Sequence, residues 1–86
     1  MPEISRFLGM LIRMYYDDHA PPHFHVRYGE HEAVIGIADF ACIKGSLPPR
    51  AMGLVIEWAV THRVELEDDW ALACQDLPLK NIAPLE

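Results

Sequence analysis

Three of the chain's five histidines fall within nine residues, Asp17-Asp18-His19-Ala20-Pro21-Pro22-His23-Phe24-His25. Imidazole ligates metals and exchanges protons near neutrality, and a carboxylate beside it balances charge, so chemistry would concentrate here. Three readings compete. As a metal site, His19, His23, His25 and Asp17 would offer donors to a transition metal such as zinc, nickel or iron. As an anion or RNA-phosphate site, Arg13 and Arg27 would clamp the anion beside Tyr15, with His25 or His23 as general base. As plain surface, the same residues are the solvated face of an amphipathic sheet, with Asp17 and His23 fixing a turn.

The elements that must position these residues follow from periodicity. Residues 7–16 alternate as a strand, with Leu8, Met10, Ile12, Met14 and Tyr16 on one face and Gly9, Leu11, Arg13 and Tyr15 on the other. Residues 23–28 alternate again, placing His23, His25 and Arg27 opposite Phe24, Val26 and Tyr28. Residues 32–38 form a third strand and residues 40–44 a weaker fourth, ended by Gly45-Ser46. The links are too short for crossover helices, so the strands form an antiparallel meander.

Register follows if the apolar faces of the first two strands share a core. Tyr16 then pairs with Phe24, Met14 with Val26 and Ile12 with Tyr28. On the other face Asp17 pairs with His23, Tyr15 with His25 and Arg13 with Arg27. Two opposed arginines want an anion between them.

Beyond residue 46 the pattern turns helical. Ser46 offers an N-cap, and Pro48 and Pro49 suit a first turn. Ala51, Val55, Trp58, His62, Leu66, Trp70, Ala73 and Leu77 recur at steps of three and four. A straight helix over that stretch would run about 40 Å, longer than a domain of this size is wide, so a break near Thr61 to Glu65 is expected. His62 reads as a packed core edge, Trp58 and Trp70 as core or interface anchors, and Glu65, Glu67, Asp68 and Asp69 as a solvated helix face. The tail 77–86 is proline-punctuated and extended, with Leu79, Ile82 and Leu85 able to line a groove. The expected fold is α+β: one small domain over residues 1–86, a four-stranded antiparallel meander (strands about 7–44) packed on one face by one kinked or two C-terminal helices (about 48–76).

Composition narrows the function classes. A net charge of −6 argues against broad nucleic-acid binding, which needs a basic footprint. With 51% apolar residues the chain can bury a core, but no run approaches a membrane span. No signal-peptide pattern opens it. Cys42 and Cys74 stand in no metal or redox spacing, so reduced thiols in a cytoplasm are expected.

The chain resembles the bacterial domain-of-unknown-function family 4160 over nearly its whole length. The resemblance rests on Pro2-Glu3-Ile4-Ser5-Arg6-Phe7, Tyr15-Tyr16-Asp17-Asp18-His19, Pro21-Pro22-His23-Phe24-His25 and Tyr28-Gly29-Glu30. Leu47-Pro48, Arg50-Ala51, Glu57-Trp58-Ala59, His62, Glu65-Leu66, Trp70 and Pro84-Leu85 extend it. It implies a small prokaryotic, cytoplasmic domain, often one half of a two-gene unit similar to a toxin–antitoxin pair. The implied partner is a small protein encoded by the neighbouring gene. The resemblance carries no catalytic residues over to His19, His23 or His25.

The reading that follows is a protein-interaction module in such a unit, whose helix stripe and Pro-Leu tail meet the partner and whose His/Arg sheet face binds a ligand. A homo-oligomer fits the small size, RNA is not favoured by the charge, and no membrane is involved. The alternative is a metal-dependent or His/Arg-based hydrolase or ribonuclease using His19, His23 and His25.

Overall fold

Five short runs of extended chain precede two helices in the computed structural model, which describes residues 3–16 and 19–85. The strands are β1 (Glu3–Phe7), β2 (Met10–Arg13), β3 (His23–Tyr28), β4 (His31–Gly36) and β5 (Cys42–Gly45). They form one sheet in the order β1-β2-β3-β4-β5, every neighbour antiparallel. The helices are α1 (Pro49–Thr61) and α2 (Arg63–Cys74). The α+β class and the meander agree with the sequence; the strand number is five, not four.

The extra strand comes from a turn that the alternation conceals. Residues 7–16 do not run as one strand, because Leu8 and Gly9 both adopt positive φ, 48° and 79°, and reverse the chain. Two such residues between paired strands make the tight hairpin whose twist suits the flanking strands. Phe7 therefore pairs with Met10. A leucine rarely enters this conformation, and its parity matches Met10 and Ile12, so the hydrophobic pattern reads straight through the turn.

The register of β2 against β3 also departs from expectation. Ile12 faces Val26, Met10 faces Tyr28, Arg13 faces His25 and Leu11 faces Arg27. The pairing is slipped by two residues from the one expected, because β2 ends at Arg13 and leaves a longer connection to β3. An even slip keeps every side chain on its expected face, so hydrophobic alternation cannot detect it.

The inner face carries the core. Met10, Ile12, Phe24, Val26, Ala33 and Ile35 are buried under Val55, Trp58, Ala59 and Leu66 of the helices. Trp58 is fully buried, with its ring 5.3 Å from Phe7 and 6.0 Å from Phe24. The apolar helix stripe expected to meet a partner is thus spent inside the chain.

The helix start differs too. Pro48 is the N-cap residue, with ψ 146° and no side-chain cap, and Pro49 opens α1. Each proline forces the residue before it out of the helical region, so Ser46 cannot cap. Its N–H instead donates to the Glu32 carbonyl. The expected break is at His62, whose φ of −111° separates the helices. The molecule's long axis is 33 Å, too short for an unbroken helix. His62 packs on Trp58 and pairs with Glu65, as a core-edge residue would.

The tail packs on its own domain rather than waiting for another. Ile82 is buried, its N–H donates to the Ile4 carbonyl (2.7 Å), and the Trp58 Nε1–H donates to the Ala83 carbonyl (2.8 Å). Asp69, expected on a solvated face, is only 1% exposed and accepts the Lys80 backbone N–H at 2.9 Å. Burial pushes its carboxyl above the ordinary value of 3.8, against the lowering effect of the Lys80 bond and charge. Among the described residues no helix is long and apolar enough to cross a membrane.

Candidate functional site

The sheet's second face is exposed or half-buried along Arg13, His25, Arg27, Glu32 and Lys44, while His23 at its end packs against Trp70 of α2. On this face the ladders align outward-pointing side chains into rows. Arg13 of β2 faces His25 of β3, His25 faces Val34 of β4, and Val34 faces Lys44 of β5. Glu3 of β1 extends this row beyond Arg13. The adjacent row runs Arg6, Leu11, Arg27, Glu32.

These rows form the floor and walls of a depression of about 260 Å³. Arg13, Tyr15, His25, Arg27, Glu32 and Lys44 line it, with Leu11 and Val34 as apolar floor. Tyr15 meets His25 edge to face, ring centroids 4.4 Å apart. Arg27 is committed to Glu32 at 2.8 Å. Arg13 and Lys44 form no ion pair among the described residues. Three strand spacings separate them, about 14 Å between backbones, a span that two long side chains can narrow from either side.

Arg13, Arg27, Tyr15 and His25 are thus brought together as the sequence led one to expect, but the clamp is not the expected one. Arg27 does not oppose Arg13; its partner is Glu32, and the second cation available to an anion is Lys44. Lys44 was not legible as a site residue, because β5 is bulged at its ladder with β4 between Val34 and Ile35, and a bulge resets the parity that alternation follows.

The histidines differ in burial. His25 is half-buried in the depression. His23 is 8% exposed, its Nδ1 bonds the Pro21 carbonyl at 2.7 Å, and its ring lies 5.1 Å from both His25 and Trp70. His19 is exposed. Among the described residues no three His, Cys, Asp or Glu side chains stand together to hold a metal ion. Asp17, the fourth candidate ligand, and its expected pairing with His23 lie outside the described residues.

Chemically, the depression offers two cations, one imidazole and a phenol around an apolar floor. That set suits a compact anion held by charge-assisted hydrogen bonds. Such a patch is unusual for a chain of net charge −6 and would draw anions locally against the overall field.

The chain matches the family model described as Domain of unknown function (DUF4160) over residues 9–71. No curated protein and no solved structure matches it.

Proposed function

We propose a function for this chain, which belongs to the DUF4160 family of domains of unknown function, from the sheet face itself. It is a binding module that holds a phosphate- or carboxylate-bearing ligand between Arg13 and Lys44, over His25. The observation that carries this reading is the Arg13–His25–Val34–Lys44 row, with both end cations free of ion pairs among the described residues. Arg27 and Glu32 wall the site, and Tyr15 braces the His25 ring.

The module works within a two-gene, toxin–antitoxin-like unit in a reducing cytoplasm. Support for the unit is the family resemblance alone; the free thiols Cys42 and Cys74, both exposed, suit the compartment. The partner is the small protein encoded alongside, and its contact lies outside the buried helix stripe and the packed tail. Co-expression of the two gene products tests this part, and separate elution at micromolar concentration would defeat it.

A second reading is favoured by His25 lying in one row with Arg13 and Lys44. In a phosphoryl-transfer hydrolase or ribonuclease His25 would be the general base and the two cations would stabilise the developing charge. His23 is less accessible for that role, being buried against Trp70 where His25 is half-exposed.

The first experiment is titration of the protein with inorganic phosphate and with short RNA, followed by amide chemical shifts. Shifts centred on Arg13, His25 and Lys44, abolished in an Arg13→Ala/Lys44→Ala variant, support the binding module. Cleavage of the RNA that disappears in His25→Ala moves the hydrolase ahead. No shift at this face removes both.

A further inference from the structure

Four exposed apolar side chains form two pairs near opposite ends of α1, one beside Arg50 and the other among carboxylates. Leu8 is 61% exposed and Tyr28 36%; Val60 is 58% exposed and Val64 67%.

The first pair borders two grooves. One is lined by Leu8, Met10, Tyr28, Arg50 and Leu54 among others, and the second by Leu8 with Arg6 and Arg27. Among the described residues no carboxylate lines either groove. Glu30, on the adjoining turn, lines neither; Arg6 and Arg27 bridge Glu3 and Glu32, and Arg50 has no ion pair among the described residues. Leu8 is held out at φ 48°, a conformation that costs a leucine roughly 1 kcal/mol. A stable fold gains nothing from exposing leucine there, since glycine or asparagine would make the turn more easily.

The second pair lies on the outer stripe of the helical elbow. Glu57 and Val60 lie on α1 and Val64, Glu67 and Asp68 on α2, on either side of the His62 break, and all are exposed. The nearby cation, Arg63, is turned away, bonded to the Ala38 carbonyl and lying over the Phe40 ring. From Ala51, beside the first patch, to Val60 is nine residues of helix, about 14 Å of rise, so one chain cannot bring its own two patches together.

We propose that the chain associates head to tail with a second copy, the Leu8–Tyr28 end of one docking on the Val60–Val64 elbow of the next. The occupant is a second copy because Arg50, without an ion pair among the described residues, stands beside Leu8 and Tyr28 and complements the exposed carboxylates Glu57, Glu67 and Asp68 around Val60 and Val64. The two patches differ, so the contact is heterologous, and each dimer leaves one patch of each kind open for further growth or ring closure. The contact is small, so the association is weak. It shares the wall residue Arg27 with the phosphate site but no residue of the Arg13–Lys44 row, and the variants that test it leave Arg27 in place, so failure of either proposal leaves the other standing.

Sedimentation equilibrium tests it, over about 10 μM to 1 mM, the range a weak contact requires. The mass of the unaltered protein rises from one chain toward two or more, and the rise shrinks at high salt. Leu8→Asn, which tolerates the turn, and Val64→Lys, on an exposed helix face, each reduce it to one chain. Mixed in equal amounts, these two variants recover dimers and nothing larger, because one intact joint remains between them. If Leu8→Asn does not fold by circular dichroism, Arg50→Glu takes its place. A wild-type mass of one chain throughout, association persisting in both variants, or a mixture that stays monomeric overturns the proposal.

Discussion

Arg13 stands directly opposite His25 across the β2–β3 ladder, in the position that hydrophobic alternation alone would have given to Tyr15. This single pairing moves the centre of the candidate site from between two arginines to the part of the row between Arg13 and Lys44. It leaves Arg27 as a wall, tied to Glu32.

That arrangement ranks the cations. Arg13→Ala and Lys44→Ala are each expected to weaken phosphate binding about five- to tenfold, the loss of one charge-assisted contact. Arg27→Ala is expected to weaken it less, since its charge is already paired. Isothermal titration at low ionic strength measures the three; equal losses for all would contradict the row.

Gly45 is expected to tolerate no side chain. Its φ is 77°, and a Cβ there would sit 2.1 Å from the Glu32 carbonyl oxygen, a backbone atom that cannot swing aside. Gly45→Ala should cost at least about 2 kcal/mol through strain and overlap together. Urea denaturation followed by tryptophan fluorescence gives the value.

Asp69 gives the stability a pH dependence of known sign. Its folded carboxyl titrates above the ordinary 3.8 because it is buried, opposed by Lys80 and reinforced by Asp68 and Glu65. Between those two titration points the folded state holds more protons than the unfolded one, so this group's contribution falls as pH rises through its folded pKa. Asp69→Asn keeps an acceptor for the Lys80 N–H and removes that slope. Melting temperatures from pH 4 to 8 should show the variant gaining on the parent toward higher pH; parallel curves would count against the buried carboxyl.

The tail is expected to behave as part of the core. Ile82 is 4% exposed and Oδ1 of Asp69, Nε1 of Trp58 and the Ile4 carbonyl all bond its neighbourhood. Ile82→Ala should lower stability by about 2–4 kcal/mol, as truncation at a buried site does. A loss under about 0.5 kcal/mol, the size of a surface substitution, would show that the tail is merely laid on the surface.

Much of this was legible from residue order. The strict alternation of residues 23–28 gives β3 at its observed bounds, and the steps of three and four from Ala51 to Ala73 give both helices. The length of that helical stretch against the width of a small domain gives the break. Leu8 hid β1, because the turn uses a residue that seldom makes turns and that keeps the parity of its neighbours. Asp69 read as one more member of an acidic run, and only the tail folding back over α2 buried it.

What the sequence by itself determined was which side chains share a face, because strand and helix periods are local properties of the backbone. Once the apolar faces of the two strands share a core, Arg13, Tyr15, His25 and Arg27 were bound to lie on one side of the sheet, whatever even slip the register took. Which of them touch was decided by tertiary structure. Hairpin length sets the register, an even slip leaves burial unchanged, and the bulge in β5 alone brings Lys44 into the row. Local pattern fixes direction; only closure of the whole sheet fixes neighbours.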